Sequence, residues 1–364
     1  MSDVLGSPKT AGVIGLGLIG GSVALALRDL GYVVGGVDRD EAAVQRAIDD
    51  EIIAHEGLPA DAALTVVATP VDHIPEGVKR ALSETTGWVT DTGSVKGEIA
   101  QAVNHERFVP SHPMAGSEQS GLAGARPDIF RGAAWVITPT IETSDNALAA
   151  MHELVVALGA DPVTLDPVAH DRMVATVSHV PHLAAAVLMN VASRRSDEHL
   201  AMLRLAAGGF RDMTRIASGS PAIWPPICLQ NDEAIVEALD AVIAGLVELR
   251  EAVNGEDADA IHDALVDARA ARVSLPTVNP LPPGLAEVRI RVKDEPGELA
   301  TITGLAAELD VNIFGLEIAH SAEGPTGVIV LLVDVEVTDV LRGGLLARGY
   351  RPSCLLYTSP SPRD

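Results

Sequence analysis

Residues 11–38 constrain the fold of this 364-residue chain more than any other stretch. Ala11 to Leu16 is a short apolar run, and the pattern Gly15-x-Gly17-x-x-Gly20 starts inside it. Helical periodicity follows from Gly21 to Leu30, then a second apolar run from Tyr32 to Val37 that ends in Asp38. Strand, glycine turn, helix, strand and acid, in that order, form the fingerprint of a dinucleotide-binding βαβ unit. Gly15 permits the tight turn, Gly17 lets a pyrophosphate approach the backbone, and Gly20 lets helix and strand pack closely. Leu18 and Ile19, inside the glycine turn, join the cofactor-binding set, and the first amides of the following helix face the phosphates. Asp38 stands where a carboxylate accepts hydrogen bonds from the adenine ribose and repels a 2′-phosphate, which favours NAD over NADP. Arg39 is the opposing feature, since an adjacent guanidinium can hold that phosphate.

The alternation continues beyond this unit. Residues 64–71, LTVVATPV, form another apolar strand, and its small-residue turn with Thr69 and Pro70 suits the wall of a nicotinamide crevice. Helical segments at 74–82, 96–103 and 145–158 alternate with strands at 130–140 and 161–165. Such alternation predicts a parallel, doubly wound sheet, with a nucleotide domain over 9–166. Two dense polar clusters interrupt it: Asp91, Ser94 and Lys96, then His112, Ser117, Glu118 and Ser120. Each follows a short apolar run, as side chains do at the ends of parallel strands facing a crevice.

Strand signals stop between 167 and 275. Helices are expected over 168–177, 183–193, 198–207, 233–253 and 257–273. The fourth carries Ile235, Val236, Leu239, Val242, Ile243 and Leu246 on an arc too wide for one buried side, so a homodimer interface is expected there. Residues 276–284, PTVNPLPPG, form a Pro-rich linker. From 285 to 353 the order strand, helix, strand, strand, helix predicts a ferredoxin-like unit that lacks its last strand. The final eleven residues, CLLYTSPSPRD, resemble the translated read-through of a sequencing adapter and are set aside from fold reasoning.

A formal net charge of −24 argues against nucleic acid or an anionic membrane as partner. Two cysteines, Cys228 and Cys354, give no disulfide framework and point to a reducing compartment. The N-terminus lacks the pattern of a signal peptide, and the longest apolar run, 183–189, is too short to span a bilayer. A soluble cytoplasmic protein is expected.

With these motifs assembled, the chain resembles the prephenate dehydrogenase family of tyrosine biosynthesis. The likeness rests on GLGLIGGS at 15–22, DTGSVK at 91–96, HPMAGSEQSG at 112–121, SHVPH at 178–182 and GGFRDMTRIA at 208–217. It implies a Rossmann-type α/β domain followed by an all-α dimerisation domain. It also implies NAD-dependent oxidation of prephenate coupled to decarboxylation. Under it, His112 is the catalytic acceptor of the substrate hydroxyl proton and Ser94 bonds the same hydroxyl. Arg215 anchors the side-chain carboxylate, His182 positions the substrate, and Trp224 reaches the site from the partner subunit. Glu118 and Asp212 orient the charged network, and Ser117 joins the substrate-binding set. The C-terminal unit resembles an ACT domain through DEPGEL and DVNI, which implies tyrosine as an effector. Arogenate dehydrogenase is the nearest alternative, a non-catalytic amino-acid sensor another. Taken alone, His179 and His182 could be a metal pair, but no cysteine or acid accompanies them at ligand spacing, and no metal is expected.

Overall fold

The computed structural model describes residues 9–116, 119, 121–196, 206–274, 285–293, 295–320 and 326–356. Ser117, Glu118, Ser120, the linker at 276–284, most of the helix expected at 198–207, and the tail from 357 onward lie outside the described residues. The chain divides into two compact units, 1–270 and 271–364.

The first unit begins with β1 (Thr10–Ile14), α1 (Leu18–Asp29), β2 (Val33–Val37), α2 (Glu41–Asp49) and β3 (His55–Glu56). It continues with β4 (Leu64–Val67), α3 (Ile74–Glu84), β5 (Trp88–Asp91), α4 (Gly97–Ala102) and β6 (Phe108–Val109). The strands form one sheet in the order β3-β2-β1-β4-β5-β6, with every pairing parallel. Chain order reverses between β1 and β4, which opens a crevice at the carboxyl ends of the strands. Alternate strand residues feed opposite faces. Val13 belongs to the buried cluster that contains Leu27, Val44 and Met151, whereas Ile14 belongs to the one that contains Ile74, Val78 and Phe108.

The expectation of a single parallel sheet needs correction. β7 (Ser111–Pro113), β8 (Ala134–Ile137) and β9 (Asp161–Thr164) form a second sheet, in which β7 runs antiparallel to β8; α5 (Asp145–Ala157) precedes β9. Pro110 accounts for the break. It has no N–H to extend β6, and its carbonyl accepts from Thr138 N at 2.9 Å instead. The chain therefore leaves one sheet and enters the next at His112.

Helices follow: α6 (Pro167–Val174), α7 (Val180–Ser196), α8 (Gly208–Thr214), α9 (Trp224–Gln230), α10 (Asp232–Asn254) and α11 (Ala258–Val273). Asp166 caps α6, accepting from Val168 N and Ala169 N at 2.9 and 3.1 Å, with Pro167 at the first helical position. A π-turn, Ala175–His179, joins α6 to α7. The run Pro167–Arg194 is long and apolar enough by length and composition to cross a membrane, and only 28% of its apolar 18-residue stretch is buried. Along α10, Ile235 is buried while Val242, Ile243, Leu246 and Val247 are exposed in the isolated chain.

The second unit contains β10 (Leu285–Lys293), α12 (Glu298–Glu308), β11 (Ile313–His320), β12 (Thr326–Asp334), α13 (Thr338–Ala347) and β13 (Pro352–Leu356). Its sheet is antiparallel in the order β11-β12-β10-β13, which is ferredoxin-like. The expected missing strand is present. β13 pairs with β10 from Ile290↔Pro352 to Ala286↔Leu356, running into the adapter-like residues. Ladder pairing draws on backbone groups, which an apolar segment of any origin supplies at an open edge.

Candidate active site

The nucleotide wall is built from backbone. Gly15 has φ +93°, and a Cβ there would sit 2.6 Å from Ala68 O. At Gly20 a Cβ would fall 1.8 Å from Gly15 O, so close helix–strand contact requires glycine. Gly17 differs: its Cβ would meet no atom within 4 Å, so packing does not demand glycine there and the space faces the crevice. Gly17 caps α1 with no side-chain hydrogen bond and no acid in the first turn, leaving the amides of the Leu18–Ile19 turn free of a carboxylate. Asp38 directly follows β2 and reaches back to this turn. One carboxylate oxygen accepts from Leu16 N at 2.7 Å and the other from Asp40 N at 2.9 Å. Beyond β4, Thr69 Oγ1 is buried with no hydrogen-bond partner, a polar atom that a ligand would satisfy. Pro70 then opens the 3₁₀ turn Val71–His73. An open glycine, an uncapped helix start, a fixed carboxylate and an orphaned hydroxyl together fit a dinucleotide.

The facing wall is built from side chains. Asp91, at the end of β5, is fully buried and pairs with fully buried Lys96. Asp91 also accepts from Gly93 N at 2.8 Å, and Lys96 Nζ donates to Ser111 O at 2.7 Å. Ser111 Oγ bonds Thr90 Oγ1 at 2.8 Å and accepts from Trp135 Nε1 at 3.0 Å. Burial pushes the Asp91 carboxyl up and the Lys96 amine down, and their mutual attraction opposes both shifts. This network ties the ends of β5 and β7 together. Ser94 lies half-buried in the loop it braces, and His112 lies on β7 immediately after it.

His112 is half-buried. Burial, and after it His170, Lys96 and His179, hold its imidazole well below the usual histidine range. It is therefore a neutral base at ordinary pH. His112 Nδ1 is 2.9 Å from His170 Nε2, and His170 Nδ1 is 2.8 Å from Asp171 Oδ1. Sequence reasoning singled out neither His170 nor Asp171. The one available signal was an adjacent His-Asp pair just inside a capped helix.

Further along this helical run, His182 stacks on Trp224 with ring centroids 3.7 Å apart, and Trp224 Nε1 is buried without a partner. The resemblance has Trp224 arrive from a partner subunit; here it stacks within its own chain. Arg215 opens the turn Arg215–Ser218, and the Cβ of a residue at Gly219 would lie 3.7 Å from His182 Cε1. Asp212 and Arg215 are exposed, on α8 and at its end. Among the described residues no group of His, Cys, Asp and Glu is arranged to hold a metal ion.

A family model described as the nucleotide-binding domain of prephenate dehydrogenase matches residues 23–164, and one described as its dimerization domain matches 166–267. Prephenate dehydrogenase of Bacillus subtilis (strain 168) is 33% identical over 331 residues, covering 86% of this chain and 89% of the relative. The chain belongs to the prephenate dehydrogenase family. Family members of solved structure share its fold. The A. aeolicus prephenate dehydrogenase, solved with hydroxyphenyl propionate and NAD+, has 27% identity and a TM-score of 0.70 over 75% of this chain and 100% of that one. The Synechocystis arogenate dehydrogenase has 28% identity and a TM-score of 0.62 over 72% of this chain and 98% of that one. Membership makes the chain an NAD-dependent dehydrogenase acting on a small molecule, and the nucleotide wall fits that cofactor.

Proposed function

We propose that this chain is a prephenate dehydrogenase, converting prephenate to 4-hydroxyphenylpyruvate by oxidative decarboxylation. The observation that carries the reading is His112: a neutral, half-buried imidazole on β7, whose neighbour Ser111 is tied through Lys96 to the end of β5 that leads into the Ser94 loop. NAD, when bound, supplies the two-electron acceptor. His112 accepts the proton of the substrate hydroxyl as the carbon bearing it is oxidised. Ser94 hydrogen-bonds the same oxygen and fixes its direction. The bond to the ring carboxylate then breaks, its electron pair completes the aromatic ring, and carbon dioxide leaves. His112 returns the proton to the phenol oxygen, so no net proton is consumed. Arg215 holds the side-chain carboxylate, where a guanidinium binds bidentately. His182 and Trp224, stacked on each other, flank that end with Asp212; Ser117 and Glu118, outside the described residues, keep the substrate-binding roles that the resemblance implies.

The domain division we propose is 9–166 for nucleotide, 167–275 for substrate and dimer contacts, and 285–353 for regulation. A homodimer would cover the exposed apolar face of α10. The C-terminal unit is proposed to act as an ACT-like module with tyrosine as effector. Gly297, at φ +101° with open space around its Cβ, supports a ligand seat at the start of α12. β13 completes the sheet of that unit.

The test is NADH formation with prephenate and with arogenate in parallel, repeated with NADP. Prephenate with NAD should be the preferred pair. Turnover of arogenate alone would replace the substrate assignment, and equal use of NADP would transfer the 2′-position from Asp38 to Arg39.

A further inference from the structure

His170 and Asp171 touch none of the reacting atoms in the mechanism above, yet they are held as firmly as any residues near it. The two Asp171 carboxylate oxygens accept from Lys96 N at 2.8 Å and from Gly97 N at 2.7 Å. Its carbonyl accepts from Asn231 Nδ2 at 2.9 Å. His170 is fully buried. The pair thus joins α6 to the start of α4 and to α10, directly behind His112.

The proton positions follow from which atoms can only accept. An ionised carboxylate has no proton to give, so His170 Nδ1 carries the hydrogen in its contact with Asp171 Oδ1. The Nε2 of a neutral His170 is then an acceptor, and only His112 Nδ1 can donate to it across 2.9 Å. His112 is left with a bare Nε2. We infer that His170 and Asp171 are positioning residues that lock His112 as its Nδ1–H tautomer and so present the Nε2 lone pair to the substrate hydroxyl. This inference rests on the functional reading above, in which His112 is the acceptor.

The reverse arrangement is the alternative that the NMR measurement below separates. A doubly protonated His170 would donate from Nε2 to His112 Nδ1. His112 would then carry its proton on Nε2 and could only donate to the hydroxyl. The charged and titratable groups around this contact are Asp171 on α6, Lys96 and Asp91 at the β5–α4 corner, and His179 on the π-turn. Once His112 has taken the substrate proton, its Nδ1–H keeps the same bond, and the Asp171 carboxylate lies one imidazole away from the new charge.

His170→Phe keeps a ring but removes both nitrogens. His170→Gln keeps an amide oxygen able to accept from His112. In the NAD-bound enzyme, His170→Phe should lower kcat by about 10- to 100-fold, the scale of a misdirected catalytic group. KM and NAD affinity should stay within about 3-fold, because binding groups are untouched. His170→Gln should recover most of the loss. Side-chain nitrogen NMR should show His112 protonated at Nδ1 and bare at Nε2 in wild type and His170→Gln, and a mixture of tautomers in His170→Phe. Wild-type kcat in His170→Phe, a His112 that carries its proton on Nε2 in wild type, or a loss that Gln does not rescue and that tracks melting temperature would each overturn the inference. If prephenate is not a substrate, the functional reading falls alone, since the wild-type NMR assignment needs no turnover.

Discussion

The nucleotide wall of the crevice is backbone and glycine, whereas the wall opposite is a chain of buried side chains. In the first, the contacts that matter are local: Asp38 reaches Leu16 across 22 positions, and the glycine turn occupies six residues. In the second, His112 meets His170 across 58 positions and Lys96 meets Asp171 across 75. A cofactor common to many reactions is met by amides any sequence can offer, provided glycine keeps side chains out of the way. A specific proton transfer needs imidazoles and carboxylates at fixed angles, and such groups are costly to bury unless each is partnered.

The largest expected effect strikes the side-chain wall. Lys96→Met leaves Asp91 buried without its cation, which should cost roughly 3–5 kcal/mol of stability. Denaturant unfolding measures it, and a change below about 1 kcal/mol would mean the buried pair braces nothing. Arg215→Gln comes next. Losing a charge-assisted bond to the substrate carboxylate should raise KM by about 10- to 100-fold with a smaller change in kcat. An unchanged KM in steady-state assays would transfer that carboxylate to Arg211.

The backbone wall is sharpened by two glycines that one motif treats alike. Gly20→Ala places a methyl group 1.8 Å from Gly15 O and should destabilise the fold, whereas Gly17→Ala enters open space. Gly17→Ala should therefore melt like wild type while NAD affinity falls by about 10-fold. Calorimetry of both variants checks this, and an equal loss of melting temperature in the two would erase the distinction. The smallest effect is one of pH. Burial lowers His179 from 6.5 to about 4. Between those values the unfolded chain binds a proton that the folded chain does not, so stability falls as pH drops through that window and is full above it. His179→Asn should flatten the dependence measured by denaturation between pH 4 and 6.5.

The two walls also differ in how much of them the sequence revealed. The glycine turn and Asp38 were legible because their chemistry sits in one continuous βαβ unit, and Thr69-Pro70 because it is the small-residue turn after the next long apolar strand. His112 and Ser94 were legible as motif members at strand ends. His170 and Asp171 were not, because an His-Asp pair on a helix has no local mark of what it faces. The split into two sheets turned on Pro110, whose missing N–H is visible in the sequence but whose new partner, Thr138 N, is 28 residues away. The fourth strand of the C-terminal unit was discounted because its residues looked foreign, whereas strand pairing depends on backbone.

The most direct measurement of the central claim is the single-turnover rate of NADH formation from prephenate by wild type and His112→Asn. Asparagine keeps some hydrogen bonding but has no lone pair basic enough to take the hydroxyl proton. The rate should fall roughly 10²- to 10⁴-fold, with NAD affinity unchanged. A His112→Asn enzyme that oxidises prephenate at close to the wild-type rate would contradict the account, because the proton would then leave by another route.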